Sequence, residues 1–190
     1  MSKSNKKAFV FIDGGNFYFR LKDLVSKVDG KYSLLDFDFY GFCKEIVKPD
    51  NFIGVKYYIG VVKRRDGNEK SEELYANQQR LIARLKNKNI DVVLGNVIQH
   101  PDNTYHEKGV DVRIAVEMIR LARKNVYNRA YLISSDTDLV PAVEEVHSFN
   151  KEVYYVGTPK AQSFGLTKES DNTILLRPED VRNFLPPSLL

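Results

Sequence analysis

Four aspartates lie at points in this sequence where an apolar run meets a helix-like segment: Asp13, Asp111, Asp136 and Asp138. Ligands of a parallel α/β sheet bind outside the carboxyl ends of its strands. A fold that brings these junctions to one edge of such a sheet would therefore gather four carboxylates in one cleft. This arrangement is costly unless a hard cation neutralises the charge, and a site made only of oxygen ligands suits Mg²⁺ or Mn²⁺. The four positions indicate a divalent-metal site.

Each aspartate also has an ordinary structural interpretation when it is taken alone. The residues after Asp13, two glycines and Asn16, could form a turn and the cap of a helix. Asp111 could favour the positive end of a helix dipole, and Asp138 could cap the helix that follows it. Asp136 is harder to explain in this way, because two acids around one threonine crowd negative charge. Three separate junctions that each present an aspartate favour the metal site.

Strands and helices alternate along the sequence. Short apolar runs predict strands, and apolar residues three or four positions apart predict helices. The predicted strands are residues 8–13, 54–62, 90–94, 130–134 and 153–156, with a small sixth at 174–176. The predicted helices are residues 16–27, 36–47, 72–88, 109–124, 139–149 and 163–170. The alternation predicts an α/β fold with a mostly parallel sheet of about five strands, covered by helices on both faces.

Composition places the chain among soluble globular proteins. It has 190 residues, of which 43% are hydrophobic and 28% charged, enough for one domain with its own core. The net charge of +4 permits a polyanionic partner without requiring one. Cys43 is the only cysteine, which excludes an intramolecular disulfide, and there is no Cys/His zinc pattern. No signal-peptide core or membrane span is found, so a cytoplasmic protein without a membrane partner is expected.

The expected domain covers residues 8–177, between a flexible basic segment at residues 1–7 and a tail at residues 178–190. The tail is expected to be an arm or disordered, and its leucines could mediate a homodimer. Two polar loops, residues 63–71 and 99–108, are long enough to carry binding residues. Each could equally be a solvated connection.

Three segments together resemble the NYN domain, in its LabA-like branch, within the PIN-like nuclease group. They are Phe11-Ile12-Asp13-Gly14-Gly15-Asn16, Lys108-Gly109-Val110-Asp111-Val112 and Ser134-Ser135-Asp136-Thr137-Asp138-Leu139-Val140-Pro141. Their order and spacing agree over residues 8–176. Residues 163–172 are similar to the family's closing motif, although relatives more often have alanine and an aromatic residue beside Asp171. Glu117 lies where relatives often carry another acid, and it could also be a solvated helix residue.

The resemblance implies a Rossmann-like, PIN-like fold of three layers and a ribonuclease that cleaves phosphodiester bonds with a divalent metal. Carried over residue by residue, the four aspartates form the catalytic and metal-binding cluster, and Asn16 orients a water or a phosphate oxygen. One or two Mg²⁺ or Mn²⁺ ions can activate water and stabilise the leaving oxygen without a histidine base. Lys108, Ser134 and Ser135 are candidate phosphate contacts, although each could be simply an exposed or turn-capping side chain.

The expected substrate is RNA, most simply single-stranded. Three basic loop residues are candidate phosphate contacts: Lys63, Arg64 and Arg65. Three basic residues spaced by four share one face of a predicted helix: Arg80, Arg84 and Lys88. Three tyrosines could stack with bases: Tyr18, Tyr57 and Tyr58. The ordinary interpretation of that helix face is a solvated polar surface.

Other classes of protein remain open. The pair Asp136 and Asp138 resembles the paired aspartates of haloacid-dehalogenase-like phosphatases, but that pair belongs on the first strand, with further acids well downstream. A receiver domain would also place acids at strand ends, but it would need an acidic pair before the first helix, which this sequence lacks. The serious alternative is a non-catalytic RNA- or protein-binding regulator on the same fold, because an intact aspartate cluster is necessary but not sufficient for turnover.

Overall fold

The computed structural model describes residues 5–62, 67–99 and 105–188, with the backbone alone for residues 96–99 and 105–108. Within these residues the strands are β1 (Lys7–Asp13), β2 (Asn51–Ile59), β3 (Asp91–Leu94), β4 (Asn96–Gln99), β5 (Tyr105–Lys108), β6 (Arg129–Ile133), β7 (Glu152–Gly157) and β8 (Asn172–Leu175). The α-helices are α1 (Gly14–Val25), α2 (Phe39–Ile46), α3 (Glu69–Asn87), α4 (Val110–Arg123), α5 (Val140–Ser148), α6 (Phe164–Glu169) and α7 (Pro178–Arg182).

Six strands form one parallel sheet in the order β3-β2-β1-β6-β7-β8. The chain moves outward from β1 to β2 and β3 on one side, and from β6 to β7 and β8 on the other. The direction changes between β1 and β6, where Ile12 pairs with Ile133. A change of this kind leaves a crevice outside the carboxyl ends of the two strands.

The residues of β1 alternate between two hydrophobic cores. Ala8, Val10 and Ile12 enter the core formed with α1, α2, α3 and α7. Phe9 and Phe11 enter the core formed with α4, α5 and α6. A strand that is covered on both faces is expected to be almost wholly apolar, which explains the apolar run that precedes Asp13.

This architecture confirms the predicted Rossmann-like fold of three layers, with six parallel strands rather than about five. The predicted helix at residues 36–47 is shorter than expected, because only Phe39–Ile46 is α-helical and residues Leu34–Asp36 form a separate 3-10 turn. Among the described residues, no helix is long and apolar enough to cross a membrane.

The predicted loop at residues 99–108 is in part a hairpin. β4 and β5 pair antiparallel, with Asn96 opposite Lys108 and Gln99 opposite Tyr105. Each strand has only four residues, and together they form a separate two-stranded sheet. They lie outside the main sheet and carry no long apolar run, so no strand signal is present in the sequence.

The C-terminal segment differs from the expected arm or disordered tail. Residues Pro178–Arg182 of this segment form α7, in which Val181 is fully buried against the core. The backbone N–H of Asp38 donates to the carbonyl of Phe184 at 2.8 Å, and the Phe184 ring packs against Phe42. The sequence of α7 has a single large apolar residue, Val181, and this pattern is too weak to predict a helix.

Candidate metal centre

Asp13 lies at the carboxyl end of β1 and caps α1. Its Oδ1 accepts a hydrogen bond from the backbone N–H of Asn16 at 3.0 Å, and its Oδ2 accepts one from the Ser134 hydroxyl at 3.0 Å. The next residue is glycine for a steric reason, because a Cβ at Gly14 would lie 2.2 Å from a ring carbon of Tyr57. The chain can therefore turn from β1 into α1 directly after the aspartate.

Asp136 and Asp138 lie in the loop that follows β6. The buried Ser134 hydroxyl accepts a hydrogen bond from the backbone N–H of Asp136 at 3.1 Å while it donates to Asp13. Asp136 Oδ1 in turn accepts the backbone N–H of Asp138 at 3.0 Å. These bonds fix the loop to the end of β1, so the neighbouring strands β1 and β6 present their acids to the same crevice.

Asp111 completes the group from the first turn of α4. Gly109, just before this helix, has a φ of +85°, in the left-handed region that favours glycine. One carboxylate oxygen each from Asp111, Asp136 and Asp138 lie within 4.8 Å of one another. Asp111 and Asp136 are half-buried and Asp138 is exposed. The structure thus brings together acids that are widely separated in the sequence.

Asp13 lies beside this three-oxygen group rather than within it. Burial raises the pKa of Asp13, and the negative charges of Asp136 and Asp111 raise it further. The hydrogen bonds from Asn16 and Ser134 oppose this effect without cancelling it. A cation near Asp13 would favour its ionised form.

The donor set fits a hard divalent cation. All donors are carboxylate oxygens, the ligands that Mg²⁺ and Mn²⁺ prefer. Two oxygens bound to one Mg²⁺ ion at about 2.0–2.1 Å in octahedral geometry lie roughly 3–4 Å apart. The 4.8 Å limit on the observed oxygen separations therefore requires only small side-chain rotations to bring Asp111, Asp136 and Asp138 onto one ion. Their role as metal ligands stays a prediction.

A polar relay continues from the cluster along α1. The Ser135 hydroxyl donates to Asn16 Oδ1 at 3.0 Å, and Arg20 Nη2 donates to Ser135 Oγ at 3.4 Å. The sequence analysis missed Arg20, although its position one helical turn after Asn16 puts both side chains on one face. The relay therefore links a cation, Arg20, to the loop that carries Asp136 and Asp138.

The structure tests only some of the predicted substrate contacts. Lys63, Arg64 and Arg65 lie outside the described residues, as does the side chain of Lys108. Two of the three tyrosines proposed for base stacking, Tyr57 and Tyr58, are fully buried, so that prediction is wrong for both. A strand covered on both faces hides even its polar aromatic residues. Tyr18 remains accessible, with 41% of its surface exposed.

The proposed basic track on α3 makes ordinary surface contacts. Arg84 pairs with Asp36 at 2.8 Å, and Arg80 donates to Asn77 at 3.2 Å. Both arginines are exposed, and Lys88 caps the end of the helix through its backbone. These contacts match the solvated-surface interpretation.

Two acids singled out with the motifs have structural partners. Glu117 accepts hydrogen bonds from Lys56 at 2.7 Å and from Tyr58 at 2.9 Å, and so joins α4 to β2. Asp171 accepts the backbone N–H of Val153 at 2.7 Å and contacts His147 at 3.0 Å. Val153 is near the start of β7, so Asp171 lies at the amino ends of the strands, whereas the aspartate crevice lies at their carboxyl ends.

Comparison with known proteins supports the fold. No curated protein sequence matches the chain. The crystal structure of a protein of unknown function from Vibrio parahaemolyticus aligns over 98% of this chain and 99% of its own, with 21% identity and a TM-score of 0.64. A ferredoxin-NADP⁺ reductase from Plasmodium falciparum aligns over 92% of this chain and 54% of its own, with 13% identity. Its TM-score of 0.25 supports no conclusion.

A comparison with protein families finds a match that covers the segments carrying the four aspartates. The match is to the NYN domain and covers residues 7–177, which include every described residue of the aspartate cluster and all strands of the main sheet. The chain therefore belongs to the NYN domain family.

Proposed function

We propose that this protein is a cytoplasmic, divalent-metal-dependent endoribonuclease that hydrolyses phosphodiester bonds in single-stranded RNA. The observation that carries the proposal is the approach of three carboxylate oxygens, from Asp111, Asp136 and Asp138, within 4.8 Å of one another. They lie at a crevice where α/β sheets bind ligands. The NYN domain family is generally nuclease-like, which supports the same class of reaction. On its three motifs we assign the chain to the LabA-like branch.

In this proposal the four aspartates hold Mg²⁺ or Mn²⁺. When bound, the cation supplies activation of water and stabilisation of the negative charge on the leaving oxygen. Asp111, Asp136 and Asp138 provide the nearest oxygens, and Asp13 adds a fourth carboxylate. The Ser134 hydroxyl bridges Asp13 to the backbone of Asp136, which keeps the acids in register while the substrate binds.

The polar relay on α1 orients the substrate. Because Ser135 donates to the Asn16 carbonyl oxygen, the amide NH₂ group of Asn16 is held in one orientation. That group can donate to a non-bridging phosphate oxygen. Arg20 brings positive charge to the same relay. Lys108, Lys63 and the two arginines after it are proposed as further phosphate contacts on their sequence positions alone.

The test is cleavage of labelled single-stranded RNA by the wild-type protein and by Asp138→Asn. We expect cleavage with Mn²⁺ or Mg²⁺, none in EDTA, and none by Asp138→Asn. Asp138 is exposed, and its backbone N–H rather than its carboxylate holds the loop, so the variant should keep the wild-type melting temperature without metal. The matched control is Asp29→Asn, which removes an exposed acid beyond the end of α1.

The chemistry of the products gives a second test. Attack by water leaves 5′-phosphate and 3′-hydroxyl ends, because the RNA 2′-hydroxyl takes no part. Cyclic-phosphate products, or cleavage unaffected by EDTA, would contradict the mechanism. RNA binding by both proteins, with no cleavage by the wild-type protein under either metal, would instead favour a non-catalytic binding module.

A further inference from the structure

An exposed phenylalanine lies beside the aspartate loop. Phe164, the first residue of α6, has 83% of its surface exposed, the largest fraction among the exposed large apolar residues of the described chain. Single exposed apolar residues are common and need no explanation by themselves. The position of Phe164 is unusual because the residues on both sides of it contact Thr137, which lies between Asp136 and Asp138.

The contacts on either side hold Phe164 in a fixed place. The Ser163 hydroxyl is 3.1 Å from the Thr137 hydroxyl, and the Ser163 backbone N–H donates to the Tyr155 hydroxyl at 3.0 Å. On the other side, a Cβ at Gly165 would lie 2.8 Å from Thr137 Cγ2. Glycine thus permits close packing of α6 on the loop that carries Asp136 and Asp138.

The same helix carries a cation one turn after this ring. Lys168 is four residues after Phe164, which places the two side chains on one face of α6. Its side chain is 83% exposed, and its ammonium group lies 3.2 Å from the carboxylate of Glu169. An exposed ring next to an exposed ammonium group suits a nucleotide, which presents a flat base and a negatively charged phosphate.

We propose that Phe164 stacks with an unpaired base of the RNA next to the cleaved phosphodiester, with Lys168 contacting the adjoining phosphate. This inference rests on the proposed ribonuclease function. A base inside a duplex is stacked between its neighbours and cannot reach the ring, whereas a base in a single strand can be splayed out onto it. Phe164 therefore makes the cleavage site selective for single-stranded RNA, a property the aspartates cannot supply because every phosphodiester carries the same charge.

The experiment measures binding of a short fluorescein-labelled RNA by anisotropy, in Mg²⁺ and on the Asp138→Asn background to prevent cleavage. Replacing Phe164 with alanine should raise Kd about tenfold, the effect of losing one base–aromatic stack. Phe164→Tyr should retain wild-type affinity, because the ring is kept. Ile53→Ala is the control, since Ile53 is also exposed but lies near the start of β2, at the opposite edge of the sheet.

A second series places an abasic nucleotide at each position of the RNA in turn. At one position next to the cleaved bond, removal of the base should raise the Kd of the protein that keeps Phe164. The same removal should not change the Kd of the protein that carries Phe164→Ala. Equal Kd values for the two proteins would overturn the inference. So would an equal loss of affinity for duplex RNA, or dissociation of a protein dimer by Phe164→Ala, which would identify the ring as a protein contact.

The outcomes separate this inference from the proposed function. Metal-dependent cleavage by the wild-type protein, together with unchanged binding by Phe164→Ala, would support the ribonuclease proposal and contradict the stacking site. Absence of cleavage by the wild-type protein, together with Phe164-dependent binding of single strands, would contradict the ribonuclease proposal. The stacking site would then belong to a non-catalytic binding module. Thermal melts of Phe164→Ala should match the wild-type protein, since the ring is exposed.

Discussion

Asp13 and Asp138 carry the same side chain in opposite surroundings. Both carboxylate oxygens of Asp13 accept hydrogen bonds, and burial raises its pKa, so part of its role is to hold β1, α1 and the loop after β6 together. Asp138 is exposed and is fixed through its backbone. Loss of the carboxylate at Asp138 therefore reports on metal and substrate, whereas the same change at Asp13 also alters the contact with Ser134.

Glu117 provides a residue-scale prediction that separates stability from catalysis. Burial opposes its ionisation, but hydrogen bonds from Lys56 and Tyr58 outweigh this and lower the pKa of Glu117. Its stabilising contribution is therefore present above the ordinary pKa of glutamate and is lost as the pH falls through the lower folded-state value. Glu117→Gln should destabilise the protein at neutral pH by about 1.5–3 kcal/mol, with a smaller deficit in acid.

Urea unfolding of Glu117→Gln across this pH range measures the effect, and Glu144→Gln, an exposed acid on α5, is the control. RNA cleavage should persist at temperatures where the variant is folded. Loss of cleavage without loss of stability would show that Glu117 acts in the site, as its position relative to other NYN domains suggested.

At the scale of the elements, apolar periodicity predicted the strands of the main sheet and missed the hairpin that lies outside it. β1, β6 and β7 have almost wholly apolar runs, and the aspartate junctions follow from where these runs end. The hairpin of β4 and β5 is short and outside the main sheet, so it leaves no such run. Phe164 was also unpredictable in its role, because sequence alone does not reveal that Gly165 seats its helix on Thr137.

The terminal helix α7 supports an element-scale prediction. Val181 is fully buried in the core that also contains α1 and α2. Val181→Ala should lower the free energy of unfolding by about 2 kcal/mol, through lost burial and a small cavity. The melting temperature should fall by about 4–8 °C.

The control for α7 is Arg182→Ala, which removes an exposed side chain from the same helix. Equal melting temperatures for Val181→Ala and the wild-type protein would show that the segment is dispensable, as expected of an arm. Cleavage should be unaffected in either variant, because α7 packs in the core with α1 and α2 and carries none of the candidate site residues.

At the scale of the whole molecule, the strand order creates the site. α1 follows β1 onto one face of the sheet and α5 follows β6 onto the other, as their separate cores show. The two helices diverge and leave the carboxyl ends of β1 and β6 open between them. Sequence could predict that the junctions carry acids, but not that β1 and β6 are neighbours, because pairing between distant strands has no local signal.

The charge distribution poses a problem for an RNA-binding protein. The net charge is only +4, and the crevice concentrates negative charge where a phosphate must approach. Cations around the crevice must therefore supply the attraction that the centre lacks. The basic residues between β2 and α3 follow the carboxyl end of a strand next to β1, the edge at which the aspartates lie.

We therefore expect that replacing Lys63, Arg64 and Arg65 with glutamine weakens RNA binding and leaves the chemistry intact. Each cation that contacts a phosphate of single-stranded RNA contributes about −0.7 to the slope of log K against log salt, so loss of three should flatten that slope by about 2. The control replaces Lys48, Lys124 and Lys151 with glutamine. These changes remove the same charge at the amino ends of the strands, opposite the aspartates. Titrations in increasing KCl measure both slopes, and saturating single-turnover cleavage rates should equal the wild-type rate. An equal flattening by both triple variants would assign the effect to net charge, and an unchanged slope would place the phosphate contacts elsewhere.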